Sequence, residues 1–254
     1  MSDRFLVPPI LPTGFVLTPN EVHVWSVQTD DQIISRAHFE ALLSSGERDR
    51  AARFKFETDR RRFVVAHAAL RSILSIYVKR PAEELEFESG PYGKPKLRAI
   101  HSKKKITFNL SHSHQIALIA VAKTQEIGVD VEWVGKDFPF DDVAERFFSA
   151  QEVAALRSLP RHCQREAFYK CWTSKEAFLK AKGTGLSGEL DEVEIIFSPE
   201  EGVRINGTIP NWSLVEIHPR DGYVGALAVQ GSECQLKCFQ WQQTLKNPLI
   251  HRPS

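Results

Sequence analysis

The sequence lacks the features that mark a membrane span, a disulfide scaffold or a polyelectrolyte. Its longest unbroken apolar run, Ile116 to Ala122, is far short of the ~18 residues needed to cross a bilayer. The proline-broken apolar segment from Phe5 to Leu17 has neither the basic start nor the continuous core of a signal peptide. A cytoplasmic location with no membrane partner is therefore expected. Cysteine is scarce: Cys163, Cys171, Cys234 and Cys238 stand in no disulfide-framework spacing and read as reduced thiols. Cys234 and Cys238 have no second metal-binding pair near them, which favours core packing over zinc. A formal net charge of +1 gives no global attraction to nucleic acid, so recognition must come from local patches.

What is present suits a folded globular chain. Apolar content of 42% and charged content of 26% over 254 residues permit a large core, in one big domain or two small ones. Residues 1–20, with Pro8, Pro9, Pro12 and Pro19, read as an extended leader. Strand alternation over Glu21–Val27 gives way to helical spacing from Asp30 to Leu43, then to a basic helical stretch after Ser45. Beyond Pro81 the pattern is strand and turn, and the glycines and prolines of Gly90–Pro95 fix a tight loop. Strands are expected over Ile106–Leu110, Gln115–Ala122 and, after a hairpin-like connection at Lys123–Glu126, over Ile127–Val134. A short helix at Phe140–Phe148 precedes a capping box at Ser149–Glu152; a long amphipathic helix runs from Arg161 to Lys182 and closes at Gly183. Strands fill Val193–Phe197, Val203–Asn206, Trp212–His218, Tyr223–Gln230 and Cys234–Trp241, and a tail follows.

The two halves repeat an order of strand, helices and paired strands. The expected fold is α+β, a pseudo-twofold pair of similar subdomains over 21–123 and 124–241, with a 242–254 tail and the active site in the cleft between the pair.

Four local patterns carry chemistry. In Gly128-Val129-Asp130-Val131-Glu132, strand alternation puts Asp130 and Glu132 on one face, where they repel unless a cation, a proton or water intervenes. A solvated strand face would look the same. The run from Arg48 to Arg62 is dense in arginine, whose planar fork matches phosphate oxygens, although a solvated helix face with local acidic partners also fits. Nucleic acid is the weaker version of that phosphate reading, since the run lacks interleaved aromatics on a sheet or a recognised reader motif. In Trp172-Thr173-Ser174-Lys175-Glu176-Ala177-Phe178-Leu179-Lys180, Glu176 and Lys180 share a helix face, as an ordinary surface ion pair would. His112 and His114 alternate, but without a third zinc ligand nearby, and Ser111 with His112 suits hydrogen bonding to an anion better.

The Gly128–Glu132 and Trp172–Lys180 motifs, with Gly93-Lys94-Pro95, Asn109–Ser113 and Phe147-Phe148-Ser149, resemble those of the longer, surfactin-synthetase-type 4′-phosphopantetheinyl transferases over roughly residues 21 to 230. The resemblance implies a monomeric enzyme that moves the phosphopantetheine arm of coenzyme A onto a serine of an acyl, peptidyl or polyketide-type carrier protein. By match to the family, Asp130, Glu132 and Glu176 would hold Mg²⁺, a cation that takes a few carboxylates plus substrate phosphates. Lys180 would contact phosphate, and Glu176 is also a candidate base, though a metal-bound carboxylate is a weak one. Ser111 and His112 match coenzyme A phosphate contacts, Gly93, Lys94 and Pro95 the loop near adenosine, and Arg62 the 3′-phosphate. Arg50 is a looser match, with Arg48 or Arg53 as substitutes. A non-catalytic coenzyme A or nucleotide-binding module, a Mg²⁺-dependent phosphoesterase and a nucleic-acid binder are the competing classes.

Overall fold

The computed structural model describes residues 15–30, 36–98, 106–135, 138–184, 194–198, 202–205, 211–231 and 234–242. The expected leader up to residue 14, the 103–105 turn, the 185–190 loop and the tail from 243 lie outside them. The elements run β1 (Glu21–Gln28), α1 (Arg36–Leu42), α2 (Ser45–Ala52), α3 (Glu57–Val78), β2 (Phe87–Ser89), β3 (Pro95–Leu97), β4 (Thr107–Ser113), β5 (Ile116–Ala122), β6 (Ile127–Trp133), α4 (Phe140–Phe147), α5 (Ala150–Ser158), α6 (Arg161–Lys182), β7 (Ile195–Ser198), β8 (Gly202–Ile205), β9 (Trp212–Ile217), β10 (Tyr223–Gln230) and β11 (Gln235–Gln240). The fold is α+β, as the residue patterns imply.

Two sheets form the centre, one ordered β11-β1-β5-β4 and the other β6-β10-β9. Period-two alternation decides what each face touches. On β5, Ala117, Ile119 and Val121 meet Phe63, Leu70 and Ile73 of α3. Its other face, with Ile116, Leu118 and Ala120, meets Val129, Val131 and Leu227 of the second sheet. Val224, Ala226 and Ala228 of β10 then pack on Phe168, Phe178 and Ala181 of α6. The result is four layers, helix–sheet–sheet–helix, around three apolar clusters.

One local expectation fails. No hairpin joins β5 to β6, because β1 and β4 already pair with both edges of β5. The chain crosses instead to the second sheet, where β6 pairs antiparallel with β10. The last strand, β11, returns to the first sheet and pairs parallel with β1, Glu21 opposite Gln235 and Ser26 opposite Gln240.

Helix ends follow the local chemistry. The capping box expected at Ser149 is present, with Ser149 Oγ accepting from the Glu152 amide at 3.2 Å, and Ser44 with Glu47 makes a second on α2. Gly183 ends α6 in the left-handed region at φ 72°.

The critical approach is between β6 and α6. A Cβ added to Gly128 would lie 2.0 Å from the Ala177 carbonyl oxygen and 2.3 Å from the Ala181 amide nitrogen, so only glycine lets helix and strand backbones meet there. Gly128→Ala is expected to destabilise the protein by at least about 3 kcal/mol, the upper part of the overpacking range, because the obstructing atoms are backbone. Urea denaturation checks it; an unchanged midpoint would refute the close approach.

Candidate active site

Strands β4 and β6 are edges of different sheets, yet side chains join them. Asn109 Oδ1 accepts from the Val129 amide at 2.8 Å. Two residues on, Ser111 Oγ donates to Asp130 Oδ1 at 2.7 Å, and after two more Ser113 Oγ donates to Glu132 Oε2 at 2.7 Å. Ser113 Oγ also accepts from the Trp133 amide at 3.1 Å. Alternate polar residues of β4 thus replace a backbone ladder and orient both β6 carboxylates. The Asn-x-Ser-x-Ser alternation opposite Asp-x-Glu was the available signal for this, read from sequence only as anion contacts.

Across the Gly128 contact, α6 presents Glu176 and Lys180 to the same place. Lys180 Nζ lies 2.6 Å from Asp130 Oδ1 and donates to Ser111 Oγ at 3.0 Å. Two buried carboxylate oxygens, Asp130 Oδ2 and Glu176 Oε1, find no hydrogen-bond partner among the described residues, a costly state for ionised groups. Burial, then the charge of Asp130, raises the Glu176 carboxyl above its usual value. The same causes, with Glu176 adding to them, push Glu132 up to about 7.

A divalent cation fits this donor set, since it would quiet the mutual repulsion and engage the orphaned oxygens. Among the described residues no three acidic, histidine or cysteine side chains stand together as a ready-made cage. Asp130 and Glu132 each have one oxygen held by a serine, and Asp130 is held by Lys180 as well.

A cationic wall lies beside the carboxylates. Desolvation of the His112 ring, then the charges of His67, Lys180, Arg50 and Arg62, holds it below the usual histidine range, so it is neutral at pH 7. Of the three arginines open to the looser match, Arg50 acts electrostatically on His112, whereas Arg48 hydrogen-bonds the Leu43 carbonyl and Arg53 caps α2. Arg62 is paired with Asp30, at 3.0 Å from Nε and 3.3 Å from Nη2. Gly93 takes φ 85° in the tight turn before β3. The Lys94 ammonium points into the protein, onto Glu126, Ile127 and Ala181.

Sequence reading missed Lys175. It is fully buried beside Glu176, 2.9 Å from the equally buried Glu152 Oε1, which also accepts from the Ile195 amide at 2.7 Å. The clue lay in its position four residues after Cys171 and seven after Phe168, on the apolar face of α6, where a lysine needs a buried partner.

Two family models match the chain: "4′-phosphopantetheinyl transferase, N-terminal" over residues 30–124 and "4′-phosphopantetheinyl transferase superfamily" over residues 126–228. The chain is 39% identical over 231 residues to the 4′-phosphopantetheinyl transferase HetI of Nostoc sp., covering 91% of this chain and 94% of that one. It is 32% identical over 158 residues to the 4′-phosphopantetheinyl transferase Sfp of Bacillus subtilis, covering 62% of this chain and 67% of that one. A solved holo-(acyl-carrier-protein) synthase from Bacillus anthracis, in complex with CoA (3′,5′-ADP), aligns with 42% of this chain and 96% of its own at 20% identity and a TM-score of 0.37.

The raised Glu132 carboxyl has a readable pH signature. The folded state holds its proton up to about pH 7, whereas the group's ordinary value is 4.5. The metal-free fold therefore loses stability as pH rises between those values, and no further above them. Glu132→Gln should flatten that slope in thermal unfolding. A divalent cation held through the Glu132 carboxylate would displace that proton, so its affinity would climb about tenfold for each unit of rising pH below 7, as calorimetry would show.

Proposed function

Because the chain belongs to the 4′-phosphopantetheinyl transferase superfamily, we infer that it transfers the 4′-phosphopantetheine group of coenzyme A to a serine of an apo carrier protein. The oxygen of that serine forms a bond to the β-phosphorus, the bond to the departing adenosine 3′,5′-bisphosphate breaks, and the serine proton passes to a base. The observation that carries this reading is one convergence: three mutually repelling carboxylates, two of them with orphaned buried oxygens, face Lys180 and a neutral histidine beside an arginine wall.

In this reading Asp130, Glu132 and Glu176 hold Mg²⁺. When bound, the ion neutralises pyrophosphate charge and polarises the attacked phosphorus, so that catalysis is largely positioning and electrostatics. Lys180 swings between Asp130 and a phosphate oxygen. Ser111 and His112 hydrogen-bond the phosphates, and a neutral imidazole can donate there without a charge to desolvate. Arg50 and Arg62 face the 3′-phosphate, for which Arg62 exchanges its bond to Asp30, and the backbone at Gly93 and Pro95 borders the adenosine. Glu176, as ligand first, accepts the serine proton directly or through a water.

The reading extends to the architecture. Residues 21–123 and 124–241 are taken as pseudo-twofold related subdomains, supported by the setting of a 22-residue helix, α3 or α6, against each sheet. The transferase acts as a monomer in the cytoplasm on acyl, peptidyl or polyketide-type carriers. Among the described residues no helix is long and apolar enough to cross a membrane.

Incubating several apo carrier proteins with coenzyme A and Mg²⁺ should add the mass of one phosphopantetheine group to at least one of them by intact-mass analysis. A full panel with no gain would sink the reading. Glu176→Ala should cut transfer by about 10²–10⁴-fold while leaving cooperative unfolding intact; full activity would remove Glu176 from the site.

A further inference from the structure

Lys94 lies in the hairpin between β2 and β3, remote in sequence from both motif elements, yet its side chain reaches the point where they cross. Its three ammonium donors meet three acceptors: Ala181 O at 2.9 Å, Ile127 O at 3.0 Å and Glu126 Oε2 at 3.2 Å. Ala181 O belongs to the last turn of α6, where carbonyls have no intrahelical partner. Ile127 is the first residue of β6 and the neighbour of Gly128. The turn that aims this lysine is itself fixed, the Gly90 amide donating to the Lys94 carbonyl and the Gly93 amide to the Gly90 carbonyl, both at 2.9 Å. Its methylene stem lies over the helix end, where a Cβ on Gly183 would come 3.4 Å from Lys94 Cδ.

We propose that Lys94 is a positioning residue for the transfer reaction, a strut that fixes α6 relative to β6 and so sets Glu176 and Lys180 against Asp130 and Glu132. The proposal rests on the transferase reading. The Gly128 contact alone limits how near the two backbones come, but it is steric and does not fix how far the helix slides along the strand. Lys94 supplies the directional tie. Two of its acceptors are backbone carbonyls beside the crossing, one on each element, and Ala181 directly follows Lys180. Glu126 is the most exposed of its partners and contributes least, as a half-exposed ion pair does. A lysine so engaged has no donor left for a ligand.

The test separates a strut from a coenzyme A contact. Lys94→Met and Lys94→Arg are compared with the wild-type chain by steady-state transfer to an apo carrier and by calorimetric coenzyme A binding without carrier. Hydrogen exchange at the end of α6 is followed in parallel. A strut predicts that Lys94→Met lowers kcat by about 10–100-fold, the range for loss of an orienting partner or ~1 Å of misplacement. The KM and Kd for coenzyme A should stay within about threefold, and exchange near Lys182 should quicken. Lys94→Arg should also lose kcat, because a planar fork cannot meet three divergent acceptors. A ligand contact predicts the opposite: Lys94→Met weakens coenzyme A at least about tenfold with kcat kept, and Lys94→Arg behaves as wild type. That pattern, or unchanged kcat in both variants, overturns the proposal; if Lys94→Met does not fold, the arginine variant decides alone. A wild-type chain that transfers nothing would instead strike the transferase reading itself.

Discussion

The bare-backbone crossing of β6 and α6 at Gly128 is the constraint on which the rest of this structure depends. A strand and a helix normally keep their side chains between them. Here one residue without a side chain lets them touch, with the Ala177 carbonyl and Ala181 amide in the space a Cβ would fill. Carboxylates two and four residues along the strand then come within the field of a carboxylate and an ammonium on the helix. The sheet beneath is organised to hold that crossing: β6 hangs on β10 by seven register pairs, and Gly225 of β10 sits tight under the Asp130 carbonyl.

The crossing concentrates charge that the protein must tolerate. Two carboxylates ~4 Å apart repel by about 4 kcal/mol at an effective dielectric near 20. That is a large part of the 5–15 kcal/mol that typically separates folded from unfolded chains. Three features offset it: the Lys180–Asp130 pair, the serines of β4, and a proton held by Glu132 near neutrality. The buried Lys175–Glu152 pair does a different job, locking the middle of α6 to the start of α5 and to β7, so that the helix does not relax away from the repulsion.

Much of this was legible in the residues. Short apolar runs over Ile116–Ala122 and Tyr223–Gln230 marked the central strands, the Ser149–Glu152 box and Gly183 marked helix ends, and Asp130, Glu132, Glu176 and Lys180 were recognisable as one group by their motifs. What escaped was set by distant partners. That β6 would leave the first sheet depended on both edges of β5 being occupied, one by a strand nearly a hundred residues upstream in β1. The destination of the Lys94 ammonium depended on a carbonyl 87 residues away. Lys175 went unread because lysine is usually a surface residue, and only the apolar neighbours on its helix face pointed to burial.

The pairing of β1 with β11 has a consequence for how the chain is made. The first described strand can bond to its second neighbour only after residue 240 has left the ribosome, and the Glu21–Lys237 ion pair that ties the two strands spans 216 residues. A long-range closure of this kind comes late and slowly, because the loop-closure entropy must be met before the contact forms. Until then one edge of β1, a strand buried along nearly its whole length in the finished fold, stays open to other chains. The most vulnerable interval of this fold therefore comes before β11 has docked, when β6 and α6 have already been made.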